Sequence, residues 1–178
     1  MQPLAANKRR PRRDHRTLAI LSRKRSLYST RRLVEAAKAR DVRVRVYDTL
    51  ELTLLLETDR PQLFYRGEQV ENVGCVIPRI GASITSYGLA VVNQFDMMGV
   101  PIVNNSAPIA RSRDKLRCLQ ILSRFGIPIP RTLMAREKLD LAAAVECIGG
   151  LPAIIKLIQG TQGVGVMIAH TMACYEAR

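Results

Sequence analysis

The chain has 178 residues, with 28 Lys or Arg against 15 Asp or Glu, a formal net charge of +13. At about 150 residues per domain, that length holds one domain and a remainder; apolar residues form 47% and charged residues 24%, which suits a buried core and excludes disorder over most of the chain. No apolar run nears the ~18 residues that cross a bilayer, and Cys75, Cys118, Cys147 and Cys174 form no CxxC pair, which argues against a zinc site or dense disulfides and for a reducing, cytoplasmic setting.

The charge divides unevenly. Residues 1–16 hold Lys8, Arg9, Arg10, Arg12, Arg13 and Arg16 against Asp14 alone, a net +5 without apolar periodicity, and the other +8 is spread through the body. The arm reads as a disordered extension that offers weak contact to nucleic acid. It is no secretory signal, because the apolar stretch 18–21 ends at Ser22 and Arg23.

In chain order, Leu18, Ala19, Ile20 and Leu21 read as a buried parallel strand. A helix is predicted over 28–40, its apolar positions Leu33, Val34, Ala36 and Ala37 on one side, with Ser29 or Thr30 as N-cap. Val42, Val44 and Val46 alternate with Arg43 and Arg45 in the period of a strand, completing a βαβ unit. Residues 63–70 read as a small hairpin, and Cys75, Val76 and Ile77 as a core strand that exits through Pro78, Arg79, Ile80 and Gly81. That exit is a loop at the carboxyl end of a sheet strand, where such sheets bind ligands. A helix is expected over 84–98, a strand over 100–103, a turn at 104–106, and a helix over 113–125 capped by Ser112, with Leu116, Leu119, Leu122 and Phe125 recurring every third residue. Beyond Pro130 come a short strand near 132–134, a helix around 139–147, and strands over 153–158 and 164–170. Thr171 reads as the N-cap of a helix too short to stand alone, so the chain is expected to be cut rather than finished.

The segment Gly160, Thr161, Gln162, Gly163, Val164, Gly165 carries the most chemistry. It lacks the Gly-Lys-Ser/Thr of a Walker A loop, and β-formers follow it where a Rossmann fingerprint needs a helix. What remains is a strand, glycine loop and strand: either a flap offering N–H groups to phosphate or a plain hairpin. Lys156 interrupts the apolar run 153–158, where a charge is costly unless it has a partner or an opening. It either faces inward toward an anion or marks the wet face of an ordinary strand. Lys115 lies in the first turn of a predicted helix, opposing the macrodipole by about 0.3–1 kcal/mol; either an anionic ligand offsets that cost or the lysine belongs to a solvated basic surface with Arg113 and Arg117. His15 and His170 have no companion nucleophile, so no catalytic residue is assigned, and no metal-ligand set is assigned either. Aromatic residues are too few for a nucleic-acid stacking platform.

Taken together, Ala19 to Arg23, Leu27-Tyr28-Ser29, Val76 to Gly81, Ala110 to Leu116 and Ile155 to Val166 resemble the RimK-type α-L-glutamate ligases, ATP-grasp enzymes. The resemblance runs from about Leu18 to Arg178 and implies an α/β fold: a pre-ATP-grasp open parallel-sheet domain over 17–112, after the arm 1–16, then the beginning of an ATP-grasp small domain with a glycine flap over 113–178. It implies Lys156 and Lys115 as nucleotide-binding lysines and Gln159, Gly160, Thr161, Gln162 and Gly163 as the flap over ATP, with Arg79 a weaker candidate for holding a carboxylate substrate. The chemistry it implies is an acyl phosphate formed with ATP and attacked by free glutamate, extending the C-terminal peptide of a small-subunit ribosomal protein. Mg or Mn is expected, with ligands in a C-terminal part that has no counterpart here, so the chain alone is expected to be a truncated, inactive form. A homo-oligomer is compatible with this reading. The competing expectation is a non-catalytic module that binds ribosomal protein or RNA.

Overall fold

In the computed structural model, which describes residues 16–135, 140–156 and 166–172, the first apolar run becomes β1 (Thr17–Leu21). Ala19, Ile20 and Leu21 are all fully buried, as expected of a strand covered on both faces. The chain then enters α1 (Tyr28–Lys38), whose buried side is Thr30, Val34 and Ala37. The N-cap is Leu27, which has no side-chain cap bond, rather than Ser29 or Thr30. Thr30 is instead drawn inward to the Ser22 hydroxyl, at 2.7 Å, a bond that satisfies two buried polar groups at once.

β2 (Val44–Tyr47) pairs in parallel with β1, and after a short 3-10 turn come β3 (Leu52–Leu55), β4 (Gln62–Tyr65) and β5 (Glu68–Gln69). The last three form an antiparallel sheet in the order β3-β4-β5, so the expected hairpin has a third strand that alternation in the sequence did not reveal. β6 (Val73–Pro78) returns to β1 in parallel, giving the order β2-β1-β6. The expected strand over 100–103 is reduced to a single parallel bridge between Val76 and Ile102, held by the Val76 N–H to the Pro101 carbonyl and the Val103 N–H to the Val76 carbonyl, both 2.9 Å.

α2 (Thr85–Met97) supplies Val91, Val92 and Phe95 to one buried cluster with Ala19, Leu21 and Val76. Ile20 and Ser22 alternate to the other side of β1, and Ser22 bonds Thr30 of α1. Helices therefore cover both faces of the parallel sheet, the layer pattern of an α/β domain. Burial of Phe95 alone stabilises this core by about 2 kcal/mol. Two polar ties fasten α2 to the antiparallel sheet. The Tyr87 hydroxyl donates to the Leu52 carbonyl at 2.6 Å, and the buried Gln94 amide donates to the carbonyls of Leu55 and Gln62 at 2.9 and 3.0 Å.

The chain forms two compact units, Met1–Ala110 and Arg111–Arg178, and α3 (Ser106–Arg113) runs across the division. Ser112 belongs to α3 and does not cap the next helix. Asp114 caps α4 (Lys115–Arg124), its carboxylate accepting from the Arg117 N–H at 2.9 Å, because a side-chain acceptor there meets an otherwise unbonded first-turn donor. Residues 132–134 are not a strand. Asp140 caps α5 (Leu141–Ile148), which ends on Gly149 at φ 100°, a left-handed cap that glycine adopts without strain. β7 (Ala153–Lys156) and β8 (Val166–Ala169) close the second unit as an antiparallel pair.

Candidate functional site

The pairing register of β7 and β8 decides what Lys156 does. Ala153 faces Ala169, Ile154 faces Ile168, Ile155 faces Met167 and Lys156 faces Val166. Because side chains alternate along a strand, Ile154, Lys156, Val166 and Ile168 share one face and Ala153, Ile155, Met167 and Ala169 the other. The second face is the inner one, with Ala153 at 4% and Ala169 at 0% exposure. The first is open, Ile154, Val166 and Ile168 being 60%, 46% and 54% exposed. Lys156 therefore lies on the exposed face, which resolves the two alternatives left by the sequence. That face is apolar except for the lysine at its end. An open apolar platform ending in one flexible cation suits a ligand with a flat apolar body and an anionic end, as a nucleoside phosphate has.

Lys115 is the first residue of α4 and is exposed, beside the capping carboxylate of Asp114. The predicted flap, Gln159 to Gly163, lies outside the described residues.

Arg79 sits in the first unit, where β6 ends. Its backbone N–H donates to the Leu21 carbonyl at 2.7 Å, and its guanidinium donates to the Ser29 hydroxyl at 3.2 Å. The exits of β1 and β6 and the first turn of α1 are thus tied at the carboxyl end of the parallel sheet. Ser29 carries no sequence signal for this role, since fifty positions separate the two residues. At the exit of β2, Asp48 accepts an ion pair from Arg23 at 3.0 Å.

Elsewhere in the first unit, the Tyr47 and Tyr65 rings meet edge to face at 5.0 Å beneath the Arg45 guanidinium. Burial pushes the Tyr47 phenol above its ordinary value, outweighing the opposing charge and hydrogen bond of Arg45. Glu51 is held below the usual carboxylate range chiefly by its hydrogen bond from Arg66, which is raised in turn. Both groups are solvent-exposed and serve as a surface clasp. Among the described residues no cluster of three His, Cys, Asp or Glu could hold a metal ion, and no helix is long and apolar enough to cross a membrane.

Comparison with known proteins agrees with this architecture. Residues 17–109 match the RimK PreATP-grasp domain and residues 112–176 the RimK-like ATP-grasp domain. The chain is 50% identical over 160 residues to a probable alpha-L-glutamate ligase of Pseudoalteromonas translucida and 51% identical to one of Hydrogenovibrio crunogenus, covering 90% of this chain and 53% of each relative. It spans about half the length of these curated relatives. In fold it is similar to a RimK domain protein ATP-grasp from Sphaerobacter thermophilus, with TM-score 0.63, 22% identity, and coverage of 90% of this chain and 56% of that one. It is also similar to the ATP-grasp ligase PsnB complexed with minimal precursor, with TM-score 0.69, 18% identity, and coverage of 91% and 58%. With both parts matched in order, the chain belongs to the RimK family of ATP-grasp proteins.

Proposed function

We propose that this chain is the pre-ATP-grasp and flap-bearing part of an ATP-dependent carboxylate–amine ligase that adds glutamate to the C-terminus of a small-subunit ribosomal protein. The proposal includes the domain division at 112/113, a cytoplasmic setting, ATP as co-substrate and free glutamate as the amine. What carries it is Lys156, standing at the end of an open apolar face within the segment that matches the RimK-like ATP-grasp domain. Ile154, Val166 and Ile168 receive the base, excluding water from one side of it, and the Lys156 ammonium neutralises phosphate oxygens. Lys115 adds a second cation, and an anion beside it offsets the penalty of a positive charge at a helix N-terminus. The same reading assigns residues 159–163, which lie outside the described residues, to the phosphates.

In the reaction, a peptide carboxylate oxygen takes the γ-phosphoryl group with loss of ADP, and the glutamate amine then displaces phosphate from the acyl carbon, releasing a proton. The described residues offer no cluster of acids for magnesium or manganese, and no step is assigned to a metal. Arg79 is the proposed holder of a substrate carboxylate. Ligation in this reading draws on the further length that the relatives possess.

The test is a nuclear magnetic resonance titration of the chain with a non-hydrolysable ATP analogue. Shifts should concentrate on Ile154, Lys156, Val166 and Ile168, and Lys156→Ala should weaken binding about tenfold, the loss of one charge-assisted contact. Shifts that spare β7 and β8, or equal binding by Lys156→Ala, would refute the nucleotide reading.

A further inference from the structure

The carboxyl end of the parallel sheet has a charge imbalance that the nucleotide site does not use. Between Arg16 and Glu35 the sequence has no acid, while Arg23, Lys24, Arg25, Arg31 and Arg32 are all cationic. The structure separates these cations into two groups. Arg23 is paired with Asp48 at 3.0 Å, and Arg31 and Arg32 with Glu35 at 3.7 and 2.7 Å. Lys24 and Arg25 are exposed, and among the described residues neither has a carboxylate partner. Arg79, also exposed, bonds only the neutral Ser29 hydroxyl through its guanidinium, so its charge is likewise unmatched among those residues.

The fold brings together the segments that carry these three cations. The Arg79 backbone is anchored to Leu21, its side chain to Ser29, and the intervening loop is folded by the Ser22 hydroxyl donating to the Lys24 carbonyl at 3.3 Å. Beside them, α1 starts on Leu27 without a side-chain cap and with no acid in its first turn. An acid there is favourable, because it complements the unbonded N–H groups; this helix has none and is preceded in sequence by Lys24 and Arg25. An anion from outside the chain would relieve repulsion among these groups.

We propose that Lys24, Arg25 and Arg79 form a docking surface for an acidic polypeptide segment. The proposal rests on the ligase reading in one respect: each glutamate added to a peptide end adds a carboxylate, so the product becomes progressively more acidic. An arginine fork and flexible cations hold successive carboxylates through charge-assisted hydrogen bonds. Nucleic acid fits this surface less well. Tyr28, at the start of α1, is 72% exposed but has the Arg31 guanidinium 6.0 Å from its centroid, and a single ring is no platform for successive stacked bases. The surface would retain the growing tail between additions, and a longer tail would bind more tightly.

The experiment measures fluorescence anisotropy of labelled poly-L-glutamate with the whole chain, alongside single-stranded RNA of matched charge. Lys24→Ser with Arg25→Ser should weaken polyglutamate binding about tenfold, the sum of two exposed ion pairs, and reduce its salt dependence. Arg79→Gln should weaken it further. Both first sites are exposed, so circular dichroism should show an unchanged fold. The control, Lys38→Ser with Arg40→Ser, removes the same charge from the far end of α1 and should leave binding unchanged. Equal losses in the two double variants would overturn the proposal, since only net charge would then matter. RNA that binds more tightly than polyglutamate through Lys24 and Arg25 would overturn it too. Polyglutamate bound through these residues, with no ATP-analogue shifts on β7 and β8, would break the ligase reading and leave the acidic-segment surface standing. ATP-analogue shifts on β7 and β8 without polyglutamate binding would do the reverse.

Discussion

Gly88 lies inside α2, where replacing glycine by alanine ordinarily stabilises a helix by about 1 kcal/mol. Here the sign should reverse. A Cβ built on Gly88 would stand 2.5 Å from Cγ2, 2.9 Å from Cδ1 and 3.1 Å from Cγ1 of Ile80. Ile80 is only 9% exposed and belongs to the main core cluster, and its branched side chain cannot swing clear without leaving that core. Overpacking of this kind costs about 1–3 kcal/mol, so Gly88→Ala should be destabilising by about 1 kcal/mol net after the helix gain is subtracted. Ile80 is also the residue after Arg79, so the clash pushes on the loop that presents that guanidinium. Urea unfolding, followed by the near-ultraviolet signal of Tyr28, Tyr47, Tyr65 and Tyr87, measures the loss as a lower midpoint at unchanged slope. In the double variant with Ile80→Ala the penalty of the added methyl should vanish, a coupling that the double-mutant cycle isolates. A single Gly88→Ala protein more stable than its parent would refute the reasoning, because helix propensity would then have outweighed the contact.

Gln94→Leu should cost about 2 kcal/mol, since it strips the Leu55 and Gln62 carbonyls of their donor, and hydrogen exchange should quicken across β3 and β4 more than in β1. Asp114→Ala should remove about 1 kcal/mol of helix stability and be read as faster exchange at the Arg117 amide, whereas Asp114→Asn should retain most of the cap. For Tyr47 burial raises the folded phenol above its ordinary value, so its neutral form is the one the fold favours. The associated stability is intact below the unfolded value and is lost as pH rises from there through the folded value. Tyr47→Phe should therefore flatten the alkaline limb of a stability–pH profile, and an unchanged limb would contradict the assigned burial effect.

The β1-α1-β2 unit was legible in the sequence because its signals are local: a short apolar run, a one-sided helix and alternating valines each state their own period. The same holds for α4 and α5 and for the ordered motifs that resembled RimK-type ligases. Capping was less legible. Ser29, Thr30 and Ser112 are all good capping residues by type, but Thr30 is engaged by Ser22, and Asp114 stands nearer the true start of α4. β3 went unread because Leu52 to Leu55 becomes a strand only by pairing with β4, and nothing local in the sequence marks that pairing.

For the candidate sites the division is the same. Sequence alone determined that Lys156 interrupts an apolar run and that Arg79 ends a core strand, since both facts concern immediate neighbours. Only the tertiary structure decided that Lys156 shares an exposed face with Ile154, Val166 and Ile168, and that Arg79 reaches Ser29 across fifty positions. A strand's period sorts its residues into two sets, but which set meets the core depends on the element packed against it, and that element's position is a property of the folded chain.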